Sequence, residues 1–110
     1  MNSQNMISDD ERMSESVRLL NRHFELEQQA AIPVRSDEAD LRDRVEKIIR
    51  WLMDYDMEKL MQIMYRIDVS EEAFRQAIAT SPPGRLSHKI AALVLEREWQ
   101  KAETRLRYRK

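Results

Sequence analysis

The chain has 110 residues and a formal net charge of −1; 35% of its residues are charged, and it contains one glycine, three prolines and no cysteine. This length suits one domain that buries a core of its own. The lack of cysteine excludes disulfide bonds, thiol catalysis and thiolate metal sites, and the scarcity of glycine and proline disfavours a turn-rich β-protein.

The first residues and the longest apolar run bear on localisation. The segment after Met1 is polar and acidic, whereas a secretory signal needs a basic start followed by an apolar stretch. The longest apolar run is Ile90–Leu95 (IAALVL), six residues against the ~20 that span a bilayer. We therefore expect a cytoplasmic protein that makes no contact with a membrane.

The first helix is predicted to begin at Ser8, because Ser8–Glu11 (SDDE) has the spacing of a capping box. It extends to about residue 31, shortly before Pro33. Residues 1–7 are expected to be disordered, and residues 8–110 to form a single helical domain. Its apolar stripe is narrow, so helix 8–31 is expected to pack onto another element rather than stand alone, and it could do so as a separately packed arm. The stripe consists of Met13, Val17, Leu20 and Phe24.

The second helix is predicted to be capped by Ser36 and to carry charged i,i+4 pairs on its outer face, two of which involve Glu46. Its apolar stripe consists of Leu41, Val45, Ile48, Ile49 and Leu52. The stripe loses its phase at residues 53–56 (MDYD), which predicts a kink or a new helix capped by an aspartate. The apolar set then resumes with Met57, Leu60, Met61, Met64 and Ile67.

Four methionines form a ladder in this region: Met53, Met57, Met61 and Met64 recur at gaps of four, four and three residues. We interpret the ladder as a core stripe, because the methionines interleave with leucine and isoleucine on one helical face. The first alternative is a groove for a partner helix, since methionine repacks easily. The second alternative is a soft-metal site, although such sites usually recruit histidine or cysteine and none lies nearby.

A short fourth helix is predicted after its N-cap, Ser70. The side chains predicted to face inward are Phe74, Ala77 and Ile78. This helix ends at residues 80–85 (TSPPGR), where two prolines and the only glycine cannot continue it. The last helix is predicted to run from about Leu86 to about Tyr108, and its first half is apolar over much of its circumference.

Two segments, Tyr65–Val69 (YRIDV) and Leu95–Glu98 (LERE), resemble a group of small helical bacterial proteins that share such a core and such a closing helix. The resemblance covers about residues 41–108 and leaves out the first forty. It implies a helical bacterial domain and no catalytic residue, since the group has no assigned activity. Within the first segment, Arg66 and Asp68 flank a helix junction, and we predict an ion pair between them.

No set of polar side chains has the spacing of a catalytic or metal site. His23 and Glu27 stand at i,i+4, but two ligands are too few for zinc, and a surface polar pair is the default. Ser87 and His88 are neighbours along a helix and therefore do not face each other as nucleophile and base. We predict a protein that is not an enzyme and that has neither cofactor nor metal.

Trp99 shares a helical face with apolar residues beyond the most apolar part of the last helix. The candidate interface consists of Leu95, Trp99, Ala102 and Leu106. A tryptophan exposed on such a stripe is a typical interface anchor. The alternative is that this face packs against the first helix of the same chain.

Acidic and basic residues are unevenly divided between the two ends of the chain. Residues 1–40 hold nine acids and four bases, whereas residues 81–110 hold three acids and eight bases. The two ends could attract each other, or the basic end could bind an outside anion. The candidate anion contacts are Lys101, Arg105, Arg107, Arg109 and Lys110.

These observations predict an all-α fold, a compact bundle of four to five helices in which the long C-terminal helix is central. The predicted function is a non-catalytic protein–protein interaction module that self-associates as a homo-oligomer or binds a protein of unknown identity. The alternative is an accessory protein that binds nucleic acid without sequence specificity through its basic C-terminus.

Overall fold

The computed structural model describes residues 7–26, 30–34 and 37–108, and these form an all-helical bundle. The helices are α1 (Asp9–His23), α2 (Glu38–Tyr55), α3 (Met57–Ile67), α4 (Glu71–Thr80) and α5 (Leu86–Arg107). The predicted all-α fold is thus confirmed, with five helices and no strand among the described residues. The predicted disorder of residues 1–7 lies outside the described residues, except for Ile7.

Helix α5 is the central element of the bundle, as predicted, because it contacts all four other helices. Its buried face is formed by Ser87, Ile90, Ala91, Val94, Glu98 and Ala102. Apolar side chains of the other four helices join Ile90, Ala91 and Val94 in one continuous core. Burying an isoleucine or valine contributes roughly 1.5–3 kcal/mol, so Ile90 and Val94 each stabilise the packing of α5 against its neighbours.

Side-chain caps fix where the helices begin. The predicted capping box is present at α1: Ser8 Oγ accepts from the Glu11 N–H at 3.1 Å, and a Glu11 carboxylate oxygen accepts from the Ser8 N–H at 3.3 Å. Ser70 caps α4 as predicted, accepting from the Ala73 N–H at 3.2 Å. At α2 the cap is Asp37, which accepts from the Asp40 N–H, whereas the predicted Ser36 lies outside the described residues.

A single residue, Asp56, joins α2 to α3. Its N–H donates to the Leu52 carbonyl at 2.8 Å and so closes α2. Its carboxylate accepts from the Lys59 N–H at 3.1 Å and so opens α3. The phase slip in the apolar pattern therefore marks a true helix boundary, and an aspartate caps the new helix as predicted.

Helix α1 ends at His23, eight residues before the predicted end at about residue 31. Its buried side chains belong to the common core and include Val17, Leu20 and, at its C-cap, Phe24. Helix α1 contacts both α5 and α3. The described part of the N-terminal segment thus packs onto the rest of the chain.

Glu46 was predicted on the outer face of α2, and this is wrong, because only 5% of it is exposed. Its carboxylate accepts a hydrogen bond of 2.6 Å from Ser87 Oγ in the first turn of α5. The N-terminus of α5 has no side-chain cap of its own and no acidic residue in its first turn. Glu46 therefore supplies the negative charge that a helix N-terminus favours, and it does so from a different helix.

Replacing Glu46 with alanine is expected to lower the free energy of unfolding by about 1–3 kcal/mol, because Ser87 then loses its buried acceptor. Asp43→Ala is the matched control, since Asp43 is exposed on the same helix and forms an exposed ion pair with Lys47 at 3.0 Å; there we expect a change below about 0.5 kcal/mol. Urea unfolding followed by circular dichroism gives both values. Equal losses in the two variants would contradict the assigned contribution of Glu46.

None of the helices in the described part of the chain combines the length and the apolar character needed to cross a lipid bilayer.

Candidate functional site

Most of the exposed large apolar side chains belong to one segment of the chain. Among the described residues, the large apolar side chains left exposed are Trp51, Tyr55, Met57, Met61, Tyr65, Ile78 and Tyr108. All but Tyr108 lie between residues 51 and 78, at the end of α2 and on α3 and α4. A concentration of this kind, unlike single scattered residues, is typical of an interaction site.

The methionine ladder divides between core and surface. Met64 is 4% exposed and Met53 packs partly against the core, so the core prediction is confirmed for these two. It is wrong for Met57 and Met61, which are 42% and 45% exposed. The buried face of α3 consists of Leu60, Ile63, Met64 and Ile67. Ile63, which the ladder interpretation left out, occupies the core position that Met61 was predicted to fill.

An open groove of about 440 Å³ runs between α3 and α4. Met61 and Tyr65 line it from α3, and Ile78 lines it from α4. Met64 and Phe74 also line the groove, and both are buried in the core. The site therefore combines a buried apolar floor with walls that project into solvent. We call this site the α3–α4 groove.

Ile78 was predicted to face inward, and this is wrong, because half of it is exposed. Helix α4 has only ten residues, and its buried residues are Phe74 and Ala77. The contacts of α4 are mainly with α5. A helix held along one narrow face leaves Ile78 outside that face, where it forms a wall of the groove instead.

The short junction between α3 and α4 sets the two walls side by side. Asp68 ends α3 in the left-handed conformation, with φ 67°, and Ser70 begins the next helix two residues later. Arg97 of α5 donates to the Asp68 carbonyl at 3.1 Å and contacts its carboxylate at 3.4 Å. Val69, between them, packs against the core. Arg97 thus attaches the junction between α3 and α4 to α5.

The predicted ion pair between Arg66 and Asp68 is wrong, because each pairs with a different part of the chain. Arg66 donates to the His23 carbonyl at 2.8 Å and lies 3.8 Å from the Glu25 carboxylate. Asp68 pairs with Arg97. The two residues therefore attach the junction to the end of α1 and to α5, respectively, rather than to each other.

The residues of the candidate interface on α5 are partly covered within the chain, and Leu95 and Trp99 line an open depression of about 470 Å³ with Met13 of α1 and Leu41 of α2. Ala102 is fully buried, whereas Leu95, Trp99 and Leu106 are half-buried. The Arg12 guanidinium of α1 lies 5.5 Å from the Trp99 ring centroid, in cation–π geometry, and forms an ion pair with Glu103 at 3.0 Å. This arrangement corresponds to the alternative in which the Trp99 face packs within its own chain.

Two of the candidate anion contacts, Arg105 and Arg107, form ion pairs within the chain. Arg105 pairs with Glu15 at 2.9 Å, and Arg107 pairs with Glu103 at 3.1 Å. Lys101 is half-buried on α5, while Arg109 and Lys110 lie outside the described residues. Attraction between the acidic N-terminal and basic C-terminal segments is therefore realised inside the chain. Binding of nucleic acid stays a prediction.

A buried polar pair links α1 to α5. His23 Nδ1 lies 2.7 Å from Glu98 Oε2, and Glu98 is fully buried. Burial raises the pKa of Glu98 above its ordinary value, an effect that the hydrogen bond and the charge of His23 oppose only in part. Glu27, the predicted partner of His23, lies outside the described residues.

Sequence reasoning missed Glu98, although a signal was present. Val94 and Ala102, four residues before and after it, are both fully buried. A residue midway between two buried positions at i,i+4 spacing lies on the same helical face. The pattern therefore places Glu98 in the core. It was not predicted there because a charged residue is rarely counted as part of an apolar stripe.

The α3–α4 groove can bind apolar side chains, and polar residues surround its apolar surface. Its polar lining consists of the Tyr65 hydroxyl together with Asp68, Glu71 and Arg75. No cluster of three or more potential metal ligands is found in the part of the chain that the structure describes. Comparison of the chain with protein-family models, with curated proteins and with solved structures finds no match.

Proposed function

We propose that the chain is a protein-interaction module whose α3–α4 groove binds the apolar stripe of an amphipathic helix of another protein. The observation that carries this proposal is the juxtaposition of Met61, Tyr65 and Ile78, all exposed, around a groove with a buried apolar floor. Water contact with such a surface is unfavourable, and a matching apolar stripe relieves it.

The architecture favours a helix over an extended peptide as the occupant. An extended peptide satisfies its backbone hydrogen bonds by adding to the edge of a sheet, and the described residues contain no strand to add to. A helix has already satisfied its backbone groups internally and presents side chains at i, i+3, i+4 and i+7 spacing. The groove lies between two helices and can accept such a row of side chains.

The residue types in the groove suit this purpose. Methionine is unbranched and polarizable, so Met61 can adapt its shape to the side chains of a partner. Tyr65 is 86% exposed in the free chain and gives a large apolar ring with a polar end. Tyrosine is enriched among the residues that dominate binding energy at interfaces. We therefore assign the largest single contribution to Tyr65.

A synthetic helical peptide of about 18 residues, with leucines on one face and glutamines elsewhere, tests the apolar part of this proposal. We expect it to bind the chain, and Tyr65→Ala to weaken that binding about 10- to 30-fold, a loss of about 1.4–2 kcal/mol. Fluorescence anisotropy of the labelled peptide measures both dissociation constants.

Tyr108→Ala is the matched control, because Tyr108 is similarly exposed but lies at the far end of α5. Its binding should stay within about twofold of the original chain, as expected for a residue outside the interface. Equal binding by the Tyr65 and Tyr108 variants would overturn the proposal. The alternative occupant of the groove is a second copy of this chain, and sedimentation at two salt concentrations tests it. If the chain forms a dimer and Tyr65→Ala dissociates that dimer, the occupant is a second copy and not a helix of another protein.

A further inference from the structure

We infer that the helix bound by the α3–α4 groove carries basic residues beside its apolar stripe, an inference that rests on the proposed function. Glu71 lines the groove from α4. Glu58 lines an adjoining depression on α3 together with Met61, Tyr65 and Arg66, and the Arg66 guanidinium is held by the His23 carbonyl and by Glu25 of the α1 end. Within the described residues neither carboxylate has an ion-pair partner in this chain, so one uncompensated negative charge stands on each of the two helices that form the walls.

The basic residues near the groove do not neutralise these two carboxylates. Arg75 pairs with Glu72 at 3.3 Å, and Arg66 is held by the His23 carbonyl at 2.8 Å. Lys59, also on α3, lines a separate depression with Trp51. The positive charge on these helices is thus either paired or directed elsewhere, and the surroundings of the groove remain negative.

The N-terminus of α4 does not turn this site into an anion site. A helix N-terminus carries about half a positive charge. Here Ser70 already accepts from the Ala73 N–H at 3.2 Å, and Glu71 and Glu72 both stand in the first turn. Because Glu72 pairs with Arg75, Glu71 supplies the free negative charge, and its full charge exceeds the half charge of the helix N-terminus. An acidic partner would therefore be repelled by the same residues that attract a basic one.

A second copy of this chain that presented its C-terminal arginines would be a poorer occupant. Its described C-terminal arginines, Arg105 and Arg107, are paired with Glu15 and Glu103 of their own chain. Presenting them to another molecule would require these ion pairs to break. A basic amphipathic helix from a different protein brings unpaired charges and meets no such cost.

Three peptides with the same leucine face test the inference, with lysine, glutamine or glutamate at the flanking positions. At about 50 mM salt we expect the lysine peptide to bind at least about tenfold more tightly than the glutamate peptide. The ratio should fall at about 500 mM salt, because exposed charges are screened. In the double variant Glu58→Gln, Glu71→Gln the ratio should fall to within about threefold.

The control variant is Asp10→Asn with Glu96→Gln, which removes two exposed carboxylates outside the groove and should leave the ratio unchanged. Equal binding of the lysine and glutamate peptides, or an unchanged ratio in the Glu58 and Glu71 variant, would overturn the inference. The proposed function would stand in that case, provided that the glutamine peptide still binds and depends on Tyr65. If no peptide binds, the proposed function fails and this inference fails with it.

Discussion

Replacing Ile90 with alanine is expected to lower the free energy of unfolding by about 2–5 kcal/mol, the range observed when a large buried aliphatic side chain is truncated. Ile90 is fully buried on α5, the helix that contacts all the others. Truncation there removes apolar contacts and leaves a cavity that the surrounding helices can fill only in part. Domains of this size are stable by about 5–15 kcal/mol, so the loss is a large fraction of the total.

Ile78→Ala is the matched control, since it makes the same chemical change on another helix at a half-exposed position. We expect that variant to lose less than about 1 kcal/mol, because much of the isoleucine is already in contact with water. Urea unfolding followed by circular dichroism measures both. If Ile90→Ala and Ile78→Ala lowered the free energy of unfolding by similar amounts, the burial of Ile90 on α5 and the exposure of Ile78 in the α3–α4 groove would both be contradicted.

The second large effect is a dependence of stability on pH that arises from Glu98. Burial raises the pKa of its carboxyl above the ordinary value of 4.5. Between the ordinary and the raised value, the folded chain binds more protons than the unfolded chain, so the free energy of unfolding falls as the pH rises through this window. The loss is about 1.4 kcal/mol for each unit by which the pKa is raised.

Glu98→Gln isolates this contribution, because glutamine imitates the neutral carboxyl and can still donate to His23 Nδ1. The difference in free energy of unfolding between the original chain and this variant should shift in favour of the variant as the pH rises above the ordinary value of 4.5 and through the raised pKa of Glu98. Glu96→Gln, at an exposed position on the same helix, should show no such shift.

A variant that becomes less stable than the original chain as the pH rises would contradict this assignment. It would mean that the charged pair between His23 and Glu98 stabilises the fold by more than the burial of the carboxylate costs. The charged groups that favour ionisation of Glu98 are His23, Lys101 and Arg97. We expect the cost of desolvating the ionised carboxylate to exceed the combined attraction of these three groups.

The parts of the fold that could be predicted from the sequence are those governed by local interactions. Helix starts at Ser8, Asp56 and Ser70 depend on a side chain and a backbone N–H three residues later, and all three are readable from adjacent residues. The central position of α5 could also be predicted, because a helix that is apolar on several sides needs neighbours on several sides.

The features that escaped prediction depend on residues far apart in the chain. Glu46 is buried because Ser87, 41 residues away, provides its hydrogen bond. The groove joins Met61 and Ile78, whose exposure is set by how closely α4 approaches α3 rather than by the spacing of apolar residues. A periodic pattern identifies a helical face but does not give the area that its neighbours cover.

The one-residue corner at Asp56 has a consequence for changes in chain length. Each residue added to an α-helix rotates the rest of that helix by about 100°. An insertion between Tyr55 and Met57 that kept both helices intact would rotate Lys59 and Arg66 toward the positions now held by Leu60 and Ile67. Insertions and deletions are therefore excluded at this corner. The connection from α4 to α5, residues 81–85, is longer and largely exposed, so variation in chain length is better tolerated there.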